Sequence, residues 1–461
     1  MVERKHQFQI NKLFEIDREY QGEKYLELVL EAEKEISEHK IENDHEIYWK
    51  DSKLAINETT DLSFGYGVSG IVYFYIQLYS VKEKEEYLNY IQKGLTFIEN
   101  HWKEWISQND VELLPWPDGM KYGLYFGLAG VGAVLTLAYE RFADVHVKET
   151  LDAVLQFYQE NKKPQKKGIT WTNSITILTD GGVLLFLLKY YELFPNDNVK
   201  DLIIASADWY LEQAVDHGKD GLEFSDYGTA KLSEPDFPYD NVSQPNFELG
   251  SAGAGFVLGR LYQVLGDDRY LKAAKGVEIY LDTIKIPQKK GFLLPYRVGE
   301  GQEAFYYLGN CHGPAGTAKF YYLLFQITGE EKYLTKLHDL IDGFESLGAP
   351  YRMSAGLWNN VSVCCGQGGM LNTFSGLYSS QKDERWLRLA KDSARIVAAN
   401  IDQLESGNKG WTIAYRRVVP DEFSHTIFYN DGDAGLGNAL LQIYLLETGQ
   451  KNINRFADDP F

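Results

Sequence analysis

The chain of 461 residues carries 46 Lys plus Arg against 66 Asp plus Glu, a formal net charge of −20, with 44% hydrophobic residues. Its ordinary charge content excludes wholesale disorder, and its acidic excess excludes a nucleic-acid partner, whose phosphates need a net supply of basic side chains. The length by itself suggests two or three domains, and 42 glycines against 13 prolines are the feature that needs a place.

No apolar signal core opens the chain, and no window approaches the ~20 apolar residues of a membrane span. The expectation is a cytoplasmic protein that is not integral to a membrane. Residues 1–50, with the charged amphipathic segment EKYLELVLEAEKEISEHK, predict an outer helix. After it a short glycine motif recurs, each time followed by an apolar helix. The first copies are Gly67-Val-Ser-Gly70 before IVYFYIQLY and Gly127-Leu-Ala-Gly130 before VGAVLTLAYE. A degenerate third, Thr179-Asp-Gly-Gly182, precedes VLLFLLKYYE, and Gly250-Ser-Ala-Gly253 precedes AGFVLGRLYQ. Gly313-Pro-Ala-Gly316 comes before TAKFYYLLF, Gly366-Gln-Gly-Gly369 before MLNTFSGLY, and Gly432-Asp-Ala-Gly435 before LGNALLQIYLLE. These seven copies stand 52 to 71 residues apart.

Between them lie helices of a second kind, such as EEYLNYIQKGLTFIENH, DRYLKAAKGVEIYLDTI and ERWLRLAKDSARIVAANI. Their apolar residues recur with helical period among charges, so one face is wet; the helices after the glycines are apolar all round and must be buried. Seven buried helices alternating with wet ones predict an all-α fold, an α/α toroid in two concentric rings. A closed ring makes residues 1–461 a single domain. Glycine at the inner helix starts allows the backbones to converge. Long connections (101–126, 216–248, 285–310 and 405–431) enter the inner helices from one side, which we take as the binding face.

The three cysteines each stand just before a glycine motif: Cys311 in the fifth repeat, Cys364 and Cys365 in the sixth. An odd number with an adjacent pair is not a disulfide framework. Free cysteine is commonly a core residue, yet here three thiols converge from two neighbouring loops, the donor set that Zn²⁺ favours. Three protein ligands leave a fourth tetrahedral position open, as in catalytic zinc sites.

The glycine repeats, Cys311-His-Gly-Pro-Ala-Gly316 and Cys364-Cys-Gly366 together resemble the lanthipeptide cyclases of the lanthionine synthetase C-like family, across the chain after its first 50 residues. The resemblance implies a toroid whose central zinc is held by Cys311, Cys364 and Cys365, in the manner of the family's three-cysteine branch. It implies addition of a peptide Cys thiolate to dehydroalanine or dehydrobutyrine, then protonation of the enolate at Cα. The family's repeat-four histidine is absent, because Leu249 stands in Phe247-Glu-Leu-Gly250. His312 is then the nearest acid, since imidazole titrates near neutrality. Asp180 is the nearest match to an acidic residue of the family's third repeat, and His425 and Asp431 precede the seventh motif. The implied partners are a dehydrated precursor peptide and possible complexes with a dehydratase and an exporter, around a monomer. Two other readings fit the same residues: transfer of a small thiol such as glutathione to dehydroamino acids, and a zinc-binding scaffold without catalysis.

Overall fold

A computed structural model describes residues 13–51, 60–107, 118–225, 243–298, 306–353, 360–413, 423–450 and 456–461. Parts of all four long connections (108–117, 226–242, 299–305 and 414–422) lie outside the described residues. Fourteen α-helices occur among the described residues, in two alternating sets. The inner set is α2 (Val68–Val81), α4 (Leu128–Phe142), α6 (Asp180–Leu193), α8 (Ser251–Leu265), α10 (Pro314–Thr328), α12 (Gln367–Gln381) and α14 (Asp433–Glu447). The outer set is α1 (Glu23–Glu38), α3 (Glu85–Ser107), α5 (Val145–Glu160), α7 (Asp197–Leu211), α9 (Asp268–Ile284), α11 (Glu331–Ser346) and α13 (Glu384–Ala399).

Burial separates the sets as the apolar patterns require. In α2 every residue from Val68 to Leu78 is buried, because neighbours cover it on all sides. In α13 only one face is covered, with Trp386, Leu389, Ala390, Ile396 and Val397 inward, while Arg385, Arg388 and Lys391 keep to the other side. Each inner helix packs on the next, from α2 round to α14, and α14 packs back on α2. The protein is an α/α toroid. Each inner helix pairs with the outer helix that follows it, except α14, whose outer partner is α1. Tyr444 donates to Glu23 at 3.2 Å and the Gly22 amide donates to Glu447 at 2.6 Å across that closing seam.

The glycine motif has a mechanical origin. None of the seven inner helices is capped by the side chain of its N-cap residue. Carbonyls of the preceding loop cap it instead. In repeat four, Ser251 N donates to Gln244 O at 3.1 Å and Ala252 N to Pro245 O at 3.0 Å, and in repeat seven Asp433 N donates to Thr426 O at 3.1 Å. The loop is thereby folded tightly over the first helical turn, against the last glycine of each motif. A Cβ at Gly253 would meet Phe247 O at 1.7 Å, and the other six positions give 1.8 to 2.2 Å. Thr179 breaks the motif in repeat three and satisfies its hydroxyl inside its own loop, on Ser174 O and Thr176 O.

The connections hold more order than the sequence suggests. Six two-stranded antiparallel hairpins occur among the described residues. Lys163–Pro164 pairs with Ile169–Thr170 after α5, and Ile286–Pro287 with Phe292–Leu293 after α9. Their turns use Gly168 (φ 69°) and Gly291 (φ 61°), in the left-handed region open to glycine. A Cβ there would also strike the next outer helix, at Ala205 O (1.9 Å) and Asp339 O (1.8 Å). Each hairpin thus lies flat on the neighbouring repeat, a tertiary contact invisible to local pattern.

Candidate metal centre

The loops that cap the inner helices meet at one end of the toroid, where their backbones join in a closed circuit. Gly65 N donates to Tyr125 O (2.7 Å), Leu124 N to Ile177 O (3.2 Å), Ile177 N to Glu248 O (3.0 Å) and Glu248 N to Cys311 O (2.8 Å). Cys311 N donates to Cys364 O (3.2 Å), Cys364 N to Asn430 O (3.1 Å) and Asn430 N to Gly65 O (2.9 Å), which completes the circle. Cys311 and Cys364 therefore occupy equivalent places in adjacent repeats, each two residues before its N-cap glycine. Cys365 is one residue nearer the helix, at the place that Tyr66, Leu249, His312 and Asp431 hold in their own repeats.

Three sulfurs converge at this point. Cys365 Sγ lies 3.4 Å from Cys364 Sγ and 3.7 Å from Cys311 Sγ, and all three fall within 4.8 Å of one another. Zn–S bonds of about 2.3 Å in a tetrahedron place sulfurs ~3.8 Å apart, so the donors stand close to the spacing that ion needs. Cys311 is buried while Cys364 and Cys365 are partly exposed. Burial pushes the Cys311 thiol well above its ordinary value, and hydrogen bonding to and charge on the neighbouring sulfurs do the same for Cys364. A divalent cation held by the three sulfurs would invert that balance and favour the thiolates, in the same sense as the N-terminal dipoles of α10 and α12 behind them. Among the described residues this is the group of Cys, His and acidic side chains whose ligand atoms converge closely enough to hold a metal.

His312 sits beside the sulfurs in sequence and on the ring. Its imidazole meets the rings of Tyr296 and Tyr307 edge-on, with centroids 5.1 and 5.4 Å away. The Arg297 guanidinium stacks over Tyr296 at 4.6 Å. On the other flank, Tyr66 donates to Asp431, and Tyr66 stacks on Phe126 at 5.7 Å. His312, Cys365, Asp431 and Tyr66 thus follow one another through repeats five, six, seven and one.

Asp180 and His425 have other surroundings. The Asp180 carboxylate accepts from Thr170 and Thr172 hydroxyls and from the Trp171 amide (2.9 Å), tying its hairpin to the start of α6. Burial raises its pKa and those donors oppose the rise. Asp433 opens α14 in the same way and accepts from the Trp411 amide at 3.0 Å. His425 is bonded to Asp433 at 2.7 Å, with Glu35 of α1 4.0 Å from its other nitrogen and the His39 ring 6.5 Å away. Asp180 thus engages its hairpin and His425 the closing seam, and neither shares the ring position of His312.

Glu248 was not singled out by sequence reasoning. It holds in repeat four the place that Cys311 holds in repeat five, and it accepts from Asn310 Nδ2 at 2.9 Å. Burial, with the charges of Cys365 and Asp458, pushes its carboxyl up to about 8 against the pull of Asn310 and Lys319. Alignment of the seven loops on their N-caps would have shown it, since a glutamate at a core-facing loop position is unusual.

The family described as "Lanthionine synthetase C-like protein" matches residues 9–121 and 116–448. No curated protein sequence matches the chain. Among solved structures, nisin cyclase superposes with a TM-score of 0.61 at 14% identity, covering 91% of this chain and 93% of that one. The Lin0763 protein from Listeria innocua gives 0.48 at 11% identity over 93% and 99% of the two chains. The α-1,6-mannanase GH76A from Salegentibacter sp. HEL1_6 gives 0.46 at 15% over 92% and 99%.

Proposed function

The chain belongs to the lanthionine synthetase C-like family, and on that premise we propose that it closes thioether rings in a dehydrated precursor peptide. The observation that carries this reading is the sulfur triad, spaced for a tetrahedral ion and with two of its three cysteines partly exposed. Zn²⁺ held by Cys311, Cys364 and Cys365 would leave a fourth position for a peptide Cys thiolate and keep that thiolate available near neutral pH.

In the reaction the peptide sulfur forms a bond to Cβ of dehydroalanine or dehydrobutyrine. The alkene π pair moves toward the carbonyl as an enolate, and a proton delivered to Cα completes the thioether without any redox change. We assign that proton to His312, which is next to Cys311 in the chain and precedes Cys365 around the ring. Tyr296 and Tyr307 hold its imidazole edge-on, which fixes its orientation for transfer. Asp431 and Tyr66 continue the same line beyond Cys365, where the substrate backbone would lie. Leu249 occupies the repeat-four place beside His312 and contributes apolar surface only. Asp180 and His425 are assigned to holding the loops that carry this ring. The protein would act in the cytoplasm as a monomer, receiving the peptide from a dehydratase and passing it to an exporter. Among the described residues no helix is long and apolar enough to cross a membrane.

Mass spectrometry of a dehydrated Cys-containing peptide, after alkylation of free thiols, tests the proposal. Ring closure leaves the mass unchanged, so protection from alkylation is its readout. The wild-type protein is expected to protect the peptide, and His312→Ala to slow protection by about 100-fold with zinc content retained. An unaltered rate in His312→Ala removes that residue from the proton step. A gain in mass from added glutathione, in place of protection, would replace cyclisation by small-thiol transfer; neither product would leave a scaffold.

A further inference from the structure

Below the cysteine loops, the segment Phe456–Phe461 runs through the middle of the toroid. Phe456 stacks on Phe64 with centroids 3.8 Å apart and lies against Tyr73 and Tyr125, all from the first two repeats. Two residues later, the Asp458 carboxylate accepts from Tyr125 OH at 2.7 Å and from Lys319 Nζ at 2.9 Å. Tyr125 belongs to repeat two and Lys319 to repeat five, which stand as far apart as a ring of seven allows. A carboxylate touching both must lie on the axis. Farther down, Gln326 of α10 donates to Pro460 O at 2.9 Å. The Phe461 ring packs 5.2 Å from Tyr322 and covers Gly376 of α12, where a Cβ would meet it at 2.1 Å. The segment therefore descends from the loop end along the inner faces of α10 and α12.

Only a small cavity separates it from the thiol loops. Asn310, Val363, Lys319, Asn372 and Asp458 line that space. Asn310 and Val363 immediately precede Cys311 and Cys364. Lys319 and Asp458 are 11% and 4% exposed, a charge pair that survives burial because Tyr125 also serves the carboxylate. The Lys319 ammonium additionally lies 5.2 Å from the Phe247 ring, in the repeat-four loop.

We propose that Phe456–Phe461 is an axial plug and a positioning element of the thiol site. It fills the ring axis, pins Lys319 and Tyr125 through Asp458, and braces the loops of Cys311 and Cys364 from below. The sulfurs are then reachable from the loop face alone. This role goes beyond ring closure in a peptide and does not depend on it, because shielding of the thiols holds with or without metal. Two physical features support a dedicated fit over incidental packing: Asp458 bridges Tyr125 and Lys319 across the ring, and α12 keeps a glycine in mid-helix where the Phe461 ring rests.

The test uses the full chain. Gly376→Ala should improve α12 as an isolated helix, since Ala is the better helix former, yet it must displace Phe461. Asp458→Asn keeps the shape and removes the charge. In metal-free protein, the three thiols are timed against a chromogenic aryl disulfide reagent. Both variants are expected to expose the thiols about tenfold faster than wild type, as local opening becomes easier. Leu151→Ala, in the core of α5 and away from the axis, serves as the control for general loss of stability. A synthetic Phe-Ala-Asp-Asp-Pro-Phe peptide should restore protection to Gly376→Ala less well than to Asp458→Asn, whose receiving surface is intact. Wild-type rates in both plug variants, or an equal acceleration in Leu151→Ala, overturn the proposal. Failure of cyclisation in every protein with these rates intact would count against the reaction and leave the plug standing.

Discussion

Replacement of His425 by alanine should weaken the closing seam of the ring and leave the thiol site unaltered. His425 is bonded to Asp433 at 2.7 Å, with side chains 9% and 0% exposed, and Glu35 stands 4.0 Å from its other nitrogen. Removing the imidazole leaves the Asp433 carboxylate buried against the Trp411 amide. Breaking one partner of a buried pair costs about 3–5 kcal/mol. Burial would depress the imidazole pKa, but the charges of Asp433, Glu35 and Asp51 outweigh it, so His425 titrates above its ordinary value. A group raised in the folded state stabilises fully below its unfolded pKa of about 6.5, and that contribution fades as pH climbs through the folded value. The gap between wild type and His425→Ala in urea denaturation should therefore be widest near pH ~6 and narrower near pH ~9. Zinc content should match wild type throughout. A gap below about 1 kcal/mol at the lower pH, or one that widens with pH, would refute the reasoning; loss of zinc would move His425 to the metal site.

The site itself makes sharper demands. Cys364→Ala removes one of three sulfurs, and metal analysis after dialysis should show zinc falling from about one per chain to under a tenth, while far-UV circular dichroism stays helical. Gly253→Ala places a Cβ 1.7 Å from Phe247 O, so either the loop or α8 must move. Thermal denaturation should register a loss of about 3 kcal/mol or failure to accumulate, and a melting curve like wild type would contradict the packing account. Asp180→Ala deprives Thr170, Thr172 and the Trp171 amide of their acceptor, with an expected cost of about 2–4 kcal/mol in chemical denaturation. Its zinc content should nevertheless stay intact, and a metal-free but stable variant would argue that Asp180 serves the site directly.

Local sequence determined a great deal here because repetition is a local signal. The glycine motif, the apolar helix after it and the wet helix between copies are each legible within a dozen residues or so, and seven copies leave little choice but a ring. The same periodicity marks Cys311, Cys364 and Cys365 as neighbours, since equivalent positions of adjacent repeats must lie side by side. The amphipathic α1 reads as an outer helix, although its pairing with α14 is decided by closure of the circle.

Tertiary structure decided what repetition cannot encode. Asp180 reads from sequence as an acid near the glycine motif; its carboxylate is directed by the fold to its own hairpin. His425 lies in a loop whose path depends on α1, a helix nearly four hundred residues earlier. Glu248 looks like an ordinary acidic residue until the backbone circuit sets it beside Cys311, and the same circuit sets Asp431, a candidate from sequence, beside Cys365. The axial position of Asp458 depends on Tyr125 and Lys319 meeting across the whole toroid. Apart from Asp180, whose donors lie in the adjoining hairpin, the deciding term is a contact between residues far apart in sequence. The free energy of a buried carboxylate depends on the donors that surround it, and only the assembled ring brings those donors together.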